Sequence, residues 1–352
     1  MWAVACPNCR RPVPSNAAFC PYCGYRLASV QPFQLPLSNP HPIGIVEGLK
    51  QAFTFIFKPR PPLYSVSRAI YDRLPPPPYA STTKLALIGI GLIIAFYLLD
   101  ATGMFVGTQF LPFLICYMLA GLFLYWVYKS DKFEPEPTKL VIFTLGWGVF
   151  VGLIAAPLNT YVGGPFFATL TGIPALSGAF VEEPLKILGV YLLARHSKYG
   201  REFNGPMDGI VYGFAAGIGF EAMENFHYFI VTSVKEGMMA GWFNLFMRSL
   251  AFGMNHGIYT GLAGWWLGIA KARKGFVEAN DLVVGLGVPI LLHGLWNTLC
   301  TILPPAIGIL TLVVLLGLEV YLIKIFRKVI REAQRDEVLW GYALGYAPVE
   351  AY

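Results

Sequence analysis

Charged side chains are scarce in this sequence of 352 residues. Asp, Glu, Lys and Arg make up 13% of it, hydrophobic residues make up 56%, and the mean hydropathy is +0.56. Soluble globular domains carry about 25% charged residues. The scarcity of charge therefore excludes an ordinary soluble domain and indicates a polytopic membrane protein.

Several familiar catalytic patterns are also missing. The sequence has no His-Glu-x-x-His helix and no Gly-Asp pair, and we find no Ser/His pair or catalytic Cys among its apolar segments. The amino-terminal 30 residues lack the apolar core of a cleavable signal peptide. The net charge of +6 gives no nucleic-acid signal, because the basic residues mark loops on one side of the bilayer.

Cysteines near the amino terminus have the spacing of a zinc site. Cys6-Pro-Asn-Cys9 and Cys20-Pro-Tyr-Cys23 are two Cys-x-x-Cys pairs separated by ten residues, which suits one tetrahedral four-cysteine site. Two disulfides are the alternative. Such a short segment has no core without a cross-link, and a closed four-cysteine site leaves no position for a substrate. We therefore predict a zinc ribbon over residues 1–27, with a structural role or a cytoplasmic partner to bind.

The apolar segments that follow predict an all-α bundle of about eight transmembrane helices. Residues 28–83 are a Pro-rich linker, in which 43–57 has the spacing of a helix lying in the membrane interface. We place the bundle at 84–326 and a cytoplasmic tail at 327–352. The expected spans are 85–103, 110–128, 140–162, 172–194, 209–230, 243–269, 282–303 and 306–326.

Basic residues mark alternate connections between these spans. Segments 129–139, 195–206 and 271–280 each carry three Lys or Arg, whereas 161–171 and 304–305 carry none. By the positive-inside rule both termini are cytoplasmic in a multi-pass protein of the cell membrane. The ribbon thiols then lie in a reducing compartment.

Costly polar residues concentrate in the fourth to seventh spans. A charge at the bilayer centre costs roughly 2.5–3.5 kcal/mol, yet the fourth span carries Glu182, Glu183 and Lys186. Glu182 and Lys186 are four residues apart, so we expect them to pair along one helix face. The later spans add Phe220 with Glu224 and Asn225, His256 with Thr260, and His293 with Asn297.

Each of these residues taken alone is more often a helix-packing contact than a catalyst. We expect Asp208, Arg248 and Glu319 to be such bundle or interface contacts. The whole set is too costly to face lipid, so we predict a shared polar cavity. A carboxylate there is suited to activating water as a general base. Two His and a Glu are equally suited to holding a catalytic zinc ion, and the residues alone leave both mechanisms open.

The order of these motifs resembles the PrsW family of intramembrane proteases over roughly residues 84–326. The motifs are Asp131-Lys132-Phe133-Glu134-Pro135-Glu136-Pro137, Glu182-Glu183-x-x-Lys186, Asp208-Gly209, Phe220-x-x-x-Glu224-Asn225, His256 and His293-x-x-x-Asn297. That family is similar to the CAAX-protease and bacteriocin-processing superfamily, whose second motif ends in His where this chain has Glu224. The resemblance implies a bundle of eight or so helices around a conical cavity, and a membrane-anchored protein as substrate.

The resemblance also implies roles for single residues. Glu182 is the water-activating base, Glu183 a supporting acid, and His293 with Asn297 orients the water or the oxyanion, while His256 takes the place of the missing motif His. Glu224 completes the expected catalytic set, and Lys186, Phe220 and Asn225 are expected to support it or to contact the substrate. The alternative from another class is a membrane receptor or an ion-coupled transporter, whose polar cavity binds a proton or a cation.

Overall fold

A computed structural model of the protein describes residues 3–6, 10–14, 44–63, 91, 109–132, 134–303 and 308–343. Apart from one β-hairpin, the regular structure of these residues is helical. The helices are α1 Ile45–Phe57, α2 Phe110–Ser130, α3 Thr138–Leu158, α4 Gly164–Thr171, α5 Leu176–Arg195, α6 Pro206–Glu236, α7 Met238–Phe246, α8 Asn255–Lys274, α9 Ala279–Ile302 and α10 Gly308–Ala343.

Four stretches of helix in the described residues are long and apolar enough to cross a membrane. They are α2, the continuous helical stretch from α3 through α4, α9, and α10 as far as Glu337. Helices α5, α6 and α8 carry several buried ionisable side chains and pack among these stretches. The predicted all-α polytopic membrane fold is confirmed.

Two expected boundaries were wrong. The connection expected at 161–171 is helical, because α3 passes through a π-helical turn at Asn159–Gly163 directly into α4. The sixth expected span is not one helix, because a second π-helical turn, Met247–Ala251, and residues 252–254 separate α7 from α8. His256 is consequently the second residue of a helix, and it does not lie in mid-helix as expected.

The two ends of the expected bundle differ in what the structure describes. The first expected span, 85–103, falls outside the described residues apart from residue 91. At the other end, α10 continues to Ala343, so residues 327–343 extend the last helix. Helix α1 confirms the helix expected at 43–57, although it packs against α9 and α10.

The chain after α1 is attached to α10 by a buried ion pair and by hydrogen bonds. The guanidinium of Arg60 pairs with Asp336, and the backbone N–H of Arg60 donates to Glu332 Oε1 at 3.1 Å. Lys328 donates to the carbonyl oxygens of Phe55 and Lys58 at the end of α1. These contacts attach the linker between the amino-terminal segment and the bundle to the end of the last helix.

The amino-terminal hairpin agrees with the predicted ribbon. Strands β1 Ala3–Ala5 and β2 Pro12–Pro14 pair antiparallel. The backbone N–H of Cys6 donates to the Arg11 carbonyl at 2.9 Å, and that of Arg10 donates to the Cys6 carbonyl at 2.8 Å. This tight turn begins at the first predicted zinc ligand. The other three, Cys9, Cys20 and Cys23, lie outside the described residues.

Helix α6 lies at the centre of the bundle. Every residue from Pro206 to Ala222 is buried, and α8, α3 and α2 pack around it. Glycines allow the closest of these contacts. A Cβ atom at Gly213 would overlap the Thr260 carbonyl oxygen, and one at Gly217 would overlap the His256 carbonyl oxygen. The missing side chains therefore bring the first turns of α8 against α6.

Carboxylates are buried together at the ends of α2, α3 and α6. The Asp208 side chain accepts the N–H groups of Asn204 and Gly205, at 2.5 and 2.8 Å, and caps the start of α6. Burial, together with the neighbouring Asp208 carboxylate, raises the pKa of Asp131 and Glu136 well above their usual ranges. In the folded protein these two acids hold their protons more tightly than in the unfolded chain.

A raised carboxyl pKa makes the fold weaker as the pH rises. The contribution of Asp131 is complete below its ordinary pKa of 3.8 and is lost as the pH rises through the raised value. Asp131→Asn keeps the shape of the protonated acid and cannot ionise. We expect its unfolding temperature to exceed that of the wild type near about pH 8, with the gain shrinking towards about pH 4. An equal shift at both pH values would contradict this expectation.

The close contact of α6 with α8 is tested by adding one methyl group. Gly213→Ala should destabilise the protein by about 1–3 kcal/mol, because the backbone of α8 has to move. Gly121→Ala in α2 is the matched control, since its Cβ would meet nothing within 4 Å. The control should be neutral or stabilising by up to about 1 kcal/mol. Unfolding is followed by circular dichroism in detergent, and equal effects of the two variants would refute the packing argument.

Candidate active site

Helix α5 supplies three ionisable side chains to the interior of the bundle. Glu182, Glu183 and Lys186 are all buried. Lys186 Nζ lies 2.6 Å from Glu183 Oε1, so the expected pairing of Lys186 with Glu182 was wrong. Both spacings fit a helix face. The neighbouring helices decide between them, because α8 and α9 surround Glu183 with further donors.

Glu183 is the carboxylate with the most partners in this group. Besides Lys186, its Oε1 lies 2.8 Å from Nδ1 of His293, and its Oε2 accepts the Thr260 hydroxyl at 3.3 Å. One carboxylate thus joins α5 to α8 and α9. With its lone pairs engaged by these donors, Glu183 orients other side chains and is poorly placed to take a proton from water.

Glu182 has a different environment on the same helix. Its Oε1 accepts the side-chain N–H of Asn159 at 2.7 Å. Its Oε2 is buried and accepts no hydrogen bond from any described residue, and it lies 3.9 Å from Nε2 of His293. Glu182 forms no ion pair with a Lys or Arg of the described chain. One of its oxygens is therefore available to a ligand.

His256 joins the other half of the site. Its Nδ1 lies 2.6 Å from Lys186 Nζ, and its Nε2 lies 3.2 Å from Glu224 Oε2. The backbone N–H of His256 donates to Glu221 Oε2 at 3.3 Å, which holds the start of α8 on α6. The ring also lies beside Phe220, with centroids 4.8 Å apart. Both imidazole nitrogens are thus engaged by charged neighbours.

The two histidines of the site lie next to each other. The rings of His256 and His293 are nearly perpendicular, with centroids 4.9 Å apart, and the ring of Tyr259 stacks on His293 at 5.4 Å. Asn297 Nδ2 lies 3.1 Å from His293 Nε2 and 3.0 Å from the Ala175 carbonyl oxygen. Residues from four expected spans therefore meet, and the predicted polar site is a spatial cluster.

Arg248, which was expected to be a bundle or interface contact, contacts residues of this cluster. It lies in the π-helical turn before α8, pairs with Glu224 and donates from Nε to Asn225 Oδ1 at 2.9 Å. Its guanidinium carbon lies 4.0 Å from the centre of the Tyr228 ring. The side chains of Arg248 and Glu224 are 28% and 20% exposed, so this side of the cluster is not fully buried.

Sequence reasoning missed Asn159, Glu221 and the role of Arg248. Asn159 follows Pro157 near the end of an expected span, where an amide reads as part of a turn. Glu221 and Arg248 were given no role in the site. They could have been found from the free-energy cost of burying a charge in a membrane, because that cost applies to every carboxylate or guanidinium in an apolar segment. Glu319, which was expected to be a bundle or interface contact, is buried within α10.

Three side chains of the cluster are suited to one metal ion. Ligand atoms of Glu182, His256 and His293 all lie within 4.8 Å of one another, and all three residues are buried. Two imidazoles and a carboxylate are the donor set of a catalytic zinc site. The open Oε2 of Glu182 fits this role. Glu183 accepts from Nδ1 of His293, the arrangement that orients a metal-bound imidazole through its other nitrogen. His256 would have to release one hydrogen bond to bind the ion.

Comparison with known proteins identifies the family to which the chain belongs. Residues 136–323 match the model of the PrsW family intramembrane metalloproteases. The chain belongs to the PrsW family. It is 29% identical over 189 residues to protease PrsW of Bacillus subtilis (strain 168), covering 51% of this chain and 77% of that relative. It is also 30% identical over 165 residues to protease PrsW of Halalkalibacterium halodurans, which covers 44% of this chain and 71% of that relative.

The other comparisons agree with this assignment. Protease PrsW of Geobacillus kaustophilus is 27% identical over 185 residues, which cover 49% of this chain and 72% of that relative. Residues 6–27 match a zinc-ribbon domain, so the predicted ribbon is confirmed. No solved structure matches the chain. This PrsW-family protein is therefore a multi-pass intramembrane protease with an amino-terminal zinc ribbon, and neither a receptor nor a transporter is favoured.

Gly178 keeps space open beside the polar side chains of the candidate site. A Cβ atom there would lie 2.7 Å from Asn297 Nδ2 and 3.4 Å from both Glu182 Oε1 and His293 Nε2. Gly178→Ala should lower kcat/KM about 100-fold, since a displacement of about 1 Å at a catalytic site has costs of that order. Peptide cleavage in detergent measures the effect, with Gly121→Ala as the control. A variant as active as the control would show that this space is not used.

Proposed function

We propose that this protease hydrolyses a peptide bond of a membrane-embedded protein, with Glu182 as the reactive carboxylate. The observation that supports this best is the convergence of Glu182, His256 and His293 within 4.8 Å. Glu182 differs from the neighbouring carboxylates in its lack of a cationic partner. Glu183 pairs with Lys186 and Glu224 pairs with Arg248, whereas Glu182 has no such partner in the described chain and one unengaged oxygen.

The neighbouring side chains give this carboxylate the surroundings that hydrolysis needs. Glu182 Oε2 can accept a proton from a water molecule placed between it and His293 Nε2, 3.9 Å away. Asn297 presents its amide N–H next to the same imidazole nitrogen, at 3.1 Å. From there it can orient the water or donate to the developing oxyanion. Glu183 and Lys186 stay paired and hold both histidine rings in place.

We propose that Glu182, His256 and His293 hold a catalytic zinc ion. A zinc ion bound there would supply Lewis-acid polarisation of the carbonyl group and a water of lowered pKa. A mechanism without metal, in which Glu182 is a general base alone, is favoured by one observation: Lys186 and Glu224 engage both nitrogens of His256. Both mechanisms need Glu182, which takes a proton from water in the metal-free mechanism and would bind the ion in the zinc mechanism. They also differ in what His256 does.

The remaining parts of the proposal concern the ribbon and the topology. We propose that Cys6, Cys9, Cys20 and Cys23 hold a structural zinc ion, supported by the match of residues 6–27 to a zinc-ribbon domain. We also propose that both termini are cytoplasmic, which is supported by the basic residues of alternate connections. The ribbon is then available to a cytoplasmic partner. The domain bounds remain residues 1–27, 28–83, 84–326 and 327–352, with the last helix extending across the final boundary.

The central test replaces the reactive carboxylate by its isosteric amide. Glu182→Gln should reduce cleavage of a single-span substrate in proteoliposomes by at least about 100-fold, because general-base catalysis contributes about that much or more. Glu47→Gln changes an exposed Glu on α1 and is the matched control. The melting temperature confirms folding. A fully active Glu182→Gln enzyme would refute this assignment.

Removal of metal separates the two mechanisms. If Glu182, His256 and His293 hold zinc, a chelator should abolish cleavage and added Zn²⁺ should restore it. Because the ribbon also binds zinc in this proposal, the wild type is compared with a variant whose four ribbon cysteines are replaced by Ser. Chelator-sensitive cleavage in both proteins places the essential metal in the bundle. Cleavage that survives chelation in both would leave Glu182 as a general base without metal.

A further inference from the structure

Asn159 lies where α3 changes its helical winding. Pro157 has no backbone N–H to donate, and the turn that follows, Asn159–Gly163, is π-helical. Single π-helical turns inside α-helices occur frequently at functional sites. Here the turn packs against α5. It brings a half-buried amide side chain to Glu182.

The hydrogen bonds of Asn159 define which way its amide points. Glu182 Oε1, as a carboxylate oxygen, can only accept, so Asn159 presents its Nδ2 to it at 2.7 Å. The amide oxygen then faces away from Glu182 and accepts the Ser177 hydroxyl at 2.5 Å. Ser177 lies on α5, one helical turn and a half before Glu182. Two hydrogen bonds thus connect the three side chains in series, from Ser177 through Asn159 to Glu182.

This chain determines which oxygen of Glu182 remains available. With Oε1 held by Asn159, Oε2 is directed towards Nε2 of His293, 3.9 Å away. A carboxylate without such a contact would rotate and exchange its two oxygens. Positioning contacts of this kind typically change activity or metal affinity 10–100-fold.

We propose that Asn159, oriented by Ser177, is a positioning residue that holds Glu182 with one oxygen facing the reaction site. This inference rests on the proposed role of Glu182. It extends the site to α3, which no sequence motif of the proposed function includes. The rival interpretation is that Asn159 only joins two helices, in which case its loss would change stability but not the chemistry.

The test replaces the donating amide of Asn159 by a carboxylate of the same shape. Asn159→Asp should lower kcat about 10–100-fold and leave KM within about twofold. The unchanged KM distinguishes a positioning role from a general loss of structure, because the binding surface for the substrate is left intact.

Asn280→Asp is the matched control, because it makes the same exchange at an exposed position near the start of α9. It should change neither kcat nor KM. Asn159→Asp with an unchanged kcat, or with a raised KM and unchanged kcat, would overturn the positioning role. Should Asn159→Asp fail to fold, Ser177→Ala serves as the second variant, since it frees the amide to rotate. It should lower kcat at constant KM, and an unchanged kcat would overturn the proposal.

Failure of this inference can be told apart from failure of the proposed function. Both experiments use the full-length protein and the same single-span substrate. Cleavage that persists in Glu182→Gln would remove the reactive carboxylate and, with it, the role of Asn159. An inactive Glu182→Gln enzyme together with an unaffected Asn159→Asp enzyme would overturn the positioning role alone.

Discussion

The buried ammonium group of Lys186 is the interaction on which the site depends. It lies 2.6 Å from both Glu183 Oε1 and His256 Nδ1, and 4.5 Å above the ring of Phe220. A charge buried in a membrane helix is costly unless it is paired. Lys186 offsets this cost for Glu183, as Arg248 does for Glu224. Glu182 has no such partner in the described chain, and this asymmetry distinguishes one acid from its neighbours.

Much of this site was predictable from the free-energy cost of exposing polar side chains to lipid. Charged and amide side chains in apolar spans avoid this cost by facing a shared interior, so we could expect Glu182, His256, His293 and Asn297 to meet there. The helical fold and the ribbon follow equally from hydropathy and cysteine spacing. What these patterns could not supply was the pairing, because both Glu182 and Glu183 are within helical reach of Lys186.

The errors share a physical cause in the helix ends. An apolar run shows how many residues can lie in the bilayer, but it does not show where the winding changes. The runs expected at 140–162 and 243–269 both contain π-helical turns, and the second is also interrupted before α8. His256 consequently lies at the start of a helix, where its backbone N–H is free to donate to Glu221. In the middle of a regular helix, that N–H would donate to the carbonyl oxygen four residues earlier.

Each of the two π-helical turns of the described chain carries a polar residue that contacts a carboxylate of the site. One carries Asn159, which contacts Glu182, and the other carries Arg248, which pairs with Glu224. A π-helical turn holds more than the usual 3.6 residues, so it rotates the side chains beyond it relative to a regular helix. Such a turn can direct a polar side chain inward from an otherwise lipid-facing segment.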